Sequence, residues 1–117
     1  MPAITFSQAL TANQRGYNPL ANWRFRYNPY PRAAVRILIN QTTAATANAV
    51  NHQTTIGTTI VTEGPITGGG TAGVLPSTLN TTALEFFSEA GDLIEMNINE
   101  LLGATPTVNG IVAIDPV

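Results

Sequence analysis

Residues 93–99 read Leu-Ile-Glu-Met-Asn-Ile-Asn, and from Ile94 onward apolar and polar side chains alternate. Successive side chains of a β-strand point to opposite sides of the sheet. The alternation therefore predicts a strand with Ile94, Met96 and Ile98 facing a core. The Ala-Gly-Asp sequence at 90–92 predicts a turn immediately before this strand. A strict period of two favours a strand over the competing helical interpretation of this segment.

Further segments of the same kind flank this strand on both sides. Strands are predicted at residues 33–40, 54–62, 83–88 and 108–114. Gly57 indicates a bulge or a close backbone approach, and Asn109-Gly110 is a candidate bulge. Residues 63–77 are rich in Gly and Pro and predict a loop. No helix of ten or more residues is expected. Several short strands separated by turn signals predict one all-β, antiparallel domain, either a sandwich or a barrel.

The segment 17–32, YNPLANWRFRYNPYPR, combines proline with aromatic and cationic side chains. It holds five of the eight aromatic residues and three of the five arginines of the chain. Its three prolines disfavour both a helix interior and a central strand. We therefore predict an extended N-terminal arm over residues 1–31, with one short helical turn near residues 7–14, followed by a β-sandwich domain over residues 32–117.

Composition excludes several classes of protein. The chain has no cysteine, so disulfides and thiolate metal sites are excluded. No window is apolar enough to span a membrane, and the N-terminus has no basic, apolar leader pattern. Only 10% of the residues are charged and lysine is absent. Because lysine commonly keeps sheet edges apart, a lysine-free surface rich in Thr and Asn suits an assembly, although simple compositional bias would give the same result.

Charge is segregated along the chain. All five arginines lie in the first 36 residues and all seven acidic residues in the last 55. This asymmetry indicates a docking segment. Because the chain as a whole is acidic and lysine is absent, a nucleic-acid partner is not expected.

Motifs for catalysis and cofactor binding are weak. Gly68, Gly70 and Gly73 fit the dinucleotide-binding spacing, but Pro76 blocks the helix that this motif requires. His52 is the only histidine, and no sequence pattern joins it to a serine or to carboxylates. Four crowded acidic residues match no calcium loop and predict a solvated or partner-facing surface. These four are Glu85, Glu89, Asp92 and Glu95. No catalytic, metal or cofactor site is therefore predicted.

The arm is predicted to be a docking strap. Trp, Tyr and Arg are enriched at the centres of protein interfaces, and proline reduces the conformational entropy lost on docking. In an extended run Trp23, Phe25 and Tyr27 would share one face, and Arg24 and Arg26 the other. The partner-binding residues predicted are Tyr17, Trp23, Arg24, Phe25, Arg26, Tyr27 and Tyr30. Deleting residues 1–31 is then expected to leave a folded sandwich that no longer docks. The alternative is that the strap folds over its own sandwich and closes an open end.

The ending EFFSEAGDLIEMNINELLGATPTVNGIVAIDPV, with its Ala-Gly-Asp turn, resembles the last strands of small jelly-roll domains in bacteriophage structural proteins. It is also similar to trimeric jelly rolls of the tumour-necrosis-factor type. The chain also resembles capsid decoration (cement) proteins in its small size, in its lack of lysine and cysteine, and in its N-terminal arm.

This resemblance implies a jelly-roll-like β-sandwich and a non-enzymatic virion protein that is made in the host cytoplasm. It would sit as a homotrimer on the capsid surface and bridge subunits of the major capsid protein, or bind another virion protein, through its arm. The alternative is a sugar- or receptor-binding module of a tail or spike, with residues 67–71 and Asn80 exposed for recognition.

Overall fold

The computed structural model describes residues 2–43, 49–77 and 83–117. Within these ranges the regular structure is seven β-strands and one 3₁₀ turn. The elements are β1 (Ala3–Ala9), the 3₁₀ turn (Arg24–Arg26), β2 (Arg32–Gln41), β3 (Val50–Ile56), β4 (Thr59–Pro65), β5 (Leu84–Glu89), β6 (Ile94–Glu100) and β7 (Thr107–Pro116). The described residues contain no helix long and apolar enough to cross a bilayer.

The strands form two antiparallel sheets that pack face to face. The four-stranded sheet has the order β1-β7-β2-β5, and the three-stranded sheet has the order β4-β3-β6. The chain crosses between the sheets after β2, β4, β5 and β6, so residues distant in sequence meet in the core. The chain is an all-β sandwich, and the predicted strands at 33–40, 83–88, 93–99 and 108–114 are confirmed.

Alternating apolar residues of the two sheets fill the space between them. From the four-stranded sheet come Val35, Ile37, Val112 and Ile114, and from the three-stranded sheet Val50, Ile56, Ile94, Met96 and Ile98. All of these side chains are buried. The inward positions of β6 are the ones that its period of two predicts.

Two local predictions are wrong. Residues 54–62 are not one strand with a bulge at Gly57. Instead β3 and β4 form a hairpin, and Gly57 adopts φ +65 in its turn. Asn109-Gly110 is not a bulge either, because β7 pairs in continuous register on both sides. A Cβ at Gly110 would lie 2.2 Å from Phe6 Cζ, so the glycine makes room for the Phe6 ring.

Residues 2–31, expected to form an extended arm, lie against the sandwich in this structure. Ala3–Ala9 form an edge strand that pairs with β7 along its whole length, so the helical turn expected near residues 7–14 is absent. Apolar side chains at positions 4 and 6 contribute to the core, and this burial favours the strand. Residues 10–31 then run along the free edge of the three-stranded sheet, where Tyr17 forms an isolated bridge with Ile98 of β6 and Tyr27 forms one with Leu93, just before β6.

Glu100, at the end of β6, holds the start of this crossing segment in place. The residue is fully buried, and its carboxylate oxygens accept hydrogen bonds from the backbone N–H groups of Asn13, Leu102 and Gly103 at 2.9, 2.9 and 2.7 Å. Burial by itself would raise the pKa of this carboxyl. The backbone donors, with that of Ala104, outweigh it and lower the pKa below its ordinary value of 4.5.

We expect Glu100 to make the fold sensitive to acid. A carboxyl whose pKa is lowered by folding stabilises the folded state above its unfolded pKa, and this stabilisation disappears as the pH falls through the folded pKa. Glu100→Gln should therefore lower the melting temperature at neutral pH, and the difference from the wild type should shrink below pH 4.5. Thermal melts of both proteins across this range measure it. A difference that does not change with pH would contradict the role of the charge.

Candidate interaction surface

Leu20 fixes the segment 17–32 to the sandwich. Its side chain is fully buried in the core. Its carbonyl accepts a hydrogen bond from Trp23 N (3.1 Å), and the Trp23 carbonyl accepts one from Arg26 N (3.1 Å), which closes the 3₁₀ turn Arg24–Arg26. Hydrogen bonds within the turn thus take the place of hydrogen bonds between strands, because the prolines of this segment have no backbone N–H to donate to a neighbouring strand.

The 3₁₀ turn arranges the predicted docking residues in two layers. Trp23 and Phe25 are partly buried against the core, with ring centroids 5.9 Å apart and planes at 55°. The guanidinium carbon of Arg24 lies 4.8 Å from the Phe25 centroid, and that of Arg26 lies 5.4 Å from the Tyr27 centroid. Tyr27 is 52% exposed. Both distances are within the range of a favourable cation–π contact.

The predicted two-faced arrangement of this run is wrong. An extended chain would place Trp23, Phe25 and Tyr27 on one face, but the 3₁₀ turn rotates successive residues by about a third of a turn. In the structure Trp23 and Phe25 pack against the core, whereas Tyr27 is more than half exposed. The exposed aromatic group of the segment is Tyr27.

Asn28 attaches the segment 17–32 to the end of β5 and to the β5–β6 turn. Its side chain is buried and donates through Nδ2 to Ser88 Oγ (2.8 Å) and to the Glu89 carbonyl (3.0 Å). Its Oδ1 accepts from Tyr30 N (2.8 Å). Backbone bonds from Asn28 N to the Asp92 carbonyl (3.0 Å), and from Gly91 N to the Asn28 carbonyl (2.9 Å), complete the attachment.

A third cation–aromatic pair was not predicted. The guanidinium carbon of Arg32 lies 4.8 Å from the centroid of Phe87, which is 54% exposed. Arg32 begins β2 and Phe87 lies on the neighbouring edge strand β5, so only the β2–β5 register brings the two together. Sequence reasoning identified both strands but had no means of fixing their register.

The other two predicted residues lie deeper. Tyr17 exchanges backbone hydrogen bonds with Ile98 at 3.0 and 2.8 Å, and burial raises the pKa of its phenol. Tyr30 packs partly against the core. Tyr17 and Tyr30 therefore contribute to the packing of the segment and are less exposed than Tyr27. We call Arg24, Arg26, Tyr27, Arg32 and Phe87 the Arg–aromatic surface.

Within residues 2–43, 49–77 and 83–117, the arginines of this surface form no ion pair with a carboxylate. Among the described residues the ion pair present is Arg36–Glu85, at 3.0 Å on the exposed outer face of the four-stranded sheet. An exposed pair of this kind contributes only about 0–1 kcal/mol. Asp92 instead accepts a hydrogen bond from Glu89 N (2.8 Å) in the β5–β6 turn, so the four crowded acidic residues do not converge on one site.

His52 faces the interior from β3. Its Nδ1 lies 3.2 Å from Thr54 Oγ1, and burial lowers the pKa of the imidazole. The residue lines a cleft of about 230 Å³ between the sheets together with Ile39, Ile66 and Leu84. No group of three or more acidic or histidine side chains in the described ranges could hold a metal ion.

The Gly-rich loop lies on the outer face of the four-stranded sheet. Asn109 Nδ2 donates to the Thr71 carbonyl and to Asn40 Oδ1, both at 3.1 Å, and Ser7 Oγ donates to Asn109 Oδ1 at 2.7 Å. A Cβ at Gly70 would lie 2.7 Å from Asn40 Oδ1, so glycine permits the close approach. The loop is therefore bound to the sheet by hydrogen bonds. Asn80 lies outside the described residues.

Fold and surface together define a two-sheet β-sandwich protein that carries exposed, arginine-stacked aromatic side chains. No protein-family model matches the chain, and no curated protein matches it in sequence.

Proposed function

We propose that the chain is a non-enzymatic structural protein of a virion, a capsid decoration protein that stabilises a phage head. It would bind the major capsid protein, or another virion protein, on the capsid surface and bridge neighbouring subunits. The action is mechanical: contact area added across the joints between capsomers raises the free energy needed to open the shell. The trimer implied by the resemblance is part of this proposal.

The order of the strands supports a jelly-roll fold. In an eight-stranded jelly roll, strands one, eight, three and six form one sheet, and strands two, seven, four and five form the other. Removing the second strand and renumbering gives the observed orders, β1-β7-β2-β5 and β4-β3-β6. The missing strand would lie beside β6, which is where residues 10–31 bridge through Tyr17 and Tyr27.

The observation that carries the proposal is the Arg–aromatic surface. Tyr27 and Phe87 are each more than half exposed, yet both are held on a rigid body and stacked with arginines. Such side chains supply much of the energy at protein interfaces, and Arg can fork onto carboxylates of a partner. Stacking orients the guanidinium groups before binding, so less side-chain entropy is lost on docking.

The test is co-sedimentation of the purified protein with shells assembled from the major capsid protein of its own genome. We expect Tyr27→Ala and Phe87→Ala each to weaken binding by about 2–4 kcal/mol, or roughly 30-fold to 1,000-fold, as for buried interface anchors. Arg24→Ala should cost only about 0–1 kcal/mol because the side chain is exposed.

Ile60→Ala is the matched control, since Ile60 is 53% exposed on β4, in the other sheet. It should bind like the wild type. Trp23 and Phe25 are also among the predicted partner-binding residues, but substitutions there remove core contacts and so test stability as well as binding. Normal decoration by the Tyr27→Ala, Phe87→Ala double variant would refute the proposed surface.

One further feature favours a sugar-binding module as the second candidate function. The outer face of the three-stranded sheet has a shallow polar cavity of about 400 Å³, lined by Asn51, Gln53, Glu63 and Asn99. The two hydrogen bonds within this group, Asn99–Asn51 and Gln53–Glu63, are both long at 3.4 Å. Their amides could exchange these bonds for the hydroxyls of a neutral sugar. A glycan array that gives binding lost in Asn51→Ala, with no binding to shells, would favour this alternative.

A further inference from the structure

Strand β1 forms one edge of the four-stranded sheet and has no charged side chain along Ala3–Ala9. The hydrogen bonds at its two ends show which backbone groups face outward. Ile114 N donates to the Pro2 carbonyl (3.0 Å) and Leu10 N to the Pro106 carbonyl (2.8 Å), and both pairs continue the β1–β7 register. Because hydrogen-bonded and non-bonded pairs alternate in antiparallel sheets, the even-numbered residues of β1 bond to β7.

The odd-numbered residues of β1 therefore direct their N–H and C=O groups to the free edge. These residues are Ala3, Thr5, Ser7 and Ala9, and all four are exposed. The Ala9 carbonyl accepts a hydrogen bond from Gln8 Nε2 (3.0 Å). The other backbone groups form a regular row beside small, neutral side chains. An edge without charge, proline or a bulge is a template for pairing with another strand.

The remaining sheet edges carry features that oppose such pairing. The pairing of β4 with β3 shifts register so that Val61 of β4 has no partner residue, and β4 ends at Pro65. β5 carries Glu85 and Glu89. The open edge of β6 is bridged by Tyr17 at Ile98, and Tyr27 bridges Leu93 just before the strand. In a chain that has no lysine to protect its edges, β1 is the edge without one of these features.

We propose that β1 pairs antiparallel with β1 of a second copy of this chain, joining two four-stranded sheets into one across a two-fold axis. An axis through Phe6 would set Thr5 opposite Ser7 of the second copy, and Ala3 opposite Ala9 of the second copy. A self-pairing strand repeats each of its charges across the axis, so a neutral strand avoids like-charge repulsion. The pairing is independent of the proposed function, and a trimer remains possible because a two-fold contact can join one trimer to the next.

Thr5→Pro tests the pairing with little expected effect on the fold. The Thr5 N–H faces the free edge, and proline is tolerated at such positions of edge strands. We expect the wild type to sediment as assemblies with an even number of chains, whose fraction increases with protein concentration. The Thr5→Pro variant should not form the two-fold contact that doubles the number of chains. Thr5→Val is the matched control, because it keeps the N–H and should assemble like the wild type.

Amide hydrogen exchange supplies a second readout. The N–H groups of Ala3, Thr5 and Ser7 should become protected as the concentration of the wild type rises, and those of the even-numbered residues should be protected throughout. If the Thr5→Pro variant has no native melting transition, the Thr5→Lys variant is tested in its place. Thr5→Lys keeps the backbone N–H and places like charges of the two copies near the two-fold axis. A wild type that has only odd-numbered species and unprotected odd-numbered amides at all concentrations would overturn the proposal. Unchanged assembly in both Thr5→Pro and Thr5→Lys would overturn it as well.

Discussion

Deleting residues 1–31 is expected to unfold the chain, and not to leave a sandwich without its arm. The deletion removes β1 from the edge of the four-stranded sheet and takes Phe6, Leu10 and Leu20 out of the core. Burial of each such side chain contributes about 1.5–3 kcal/mol, so the three together contribute roughly 5–9 kcal/mol. A domain of this length has a total stability of only about 6–18 kcal/mol.

Circular dichroism and thermal melting of the chain 32–117 measure this outcome. We expect no cooperative transition and exposure of apolar surface. Leu20→Ala gives a graded comparison, because loss of one buried leucine should cost about 2–5 kcal/mol and leave the fold intact. A truncated chain that melts cooperatively near the wild-type temperature would show that the arm is dispensable, as the sequence pattern first suggested.

Strands were predictable where one side of the chain faces the core. In β2 and β6 the side-chain period of two coincides with burial, so Ile37, Ile94 and Met96 could be assigned to the core from the sequence. β1 was missed because its apolar residues Ile4 and Phe6 are few and its neighbours are small and neutral. Its pairing with the last strand, β7, is a contact between distant parts of the chain.

The candidate surface was predicted only in part. The composition of the segment 17–32 drew attention to its aromatic and cationic residues, and the structure brings Arg26 together with Tyr27. No residue pattern indicated the 3₁₀ turn at Arg24–Arg26, because it follows from turn hydrogen bonds that many sequences could form. Arg32 and Phe87 meet only through strand register, and an alternating pattern does not specify which strand lies beside which.

Asn28→Ala is expected to be the most damaging loss of a polar side chain in the segment 17–32. It removes three side-chain hydrogen bonds and leaves the buried Ser88 hydroxyl, the Glu89 carbonyl and the Tyr30 N–H without these partners. Because unsatisfied buried groups are costly, the free energy of unfolding should fall by about 2–4 kcal/mol. This corresponds to a decrease of roughly 10–20 °C in the melting temperature.

Two further variants separate this role from a general effect of losing an asparagine. Asn18→Ala is the matched control, since Asn18 makes one part-buried hydrogen bond, from Leu20 N at 3.0 Å, and its loss should cost about 1 kcal/mol. Asn28→Asp keeps an oxygen for Tyr30 N but cannot donate to the Glu89 carbonyl, so it should remain strongly destabilising. Equal melting temperatures for Asn28→Ala and Asn18→Ala would contradict the attachment that the geometry indicates.

Asn28 also connects stability to the proposed docking. It lies beside Tyr27 in the chain and bonds to the turn that follows β5, the strand that carries Phe87. Loss of its side chain should therefore loosen the Arg–aromatic surface before the rest of the sandwich melts. In amide exchange, residues 27–30 and 88–92 should lose protection in Asn28→Ala while β3 and β6 keep theirs. Binding to shells should weaken at temperatures where the core remains folded, because a disordered surface loses more entropy on docking.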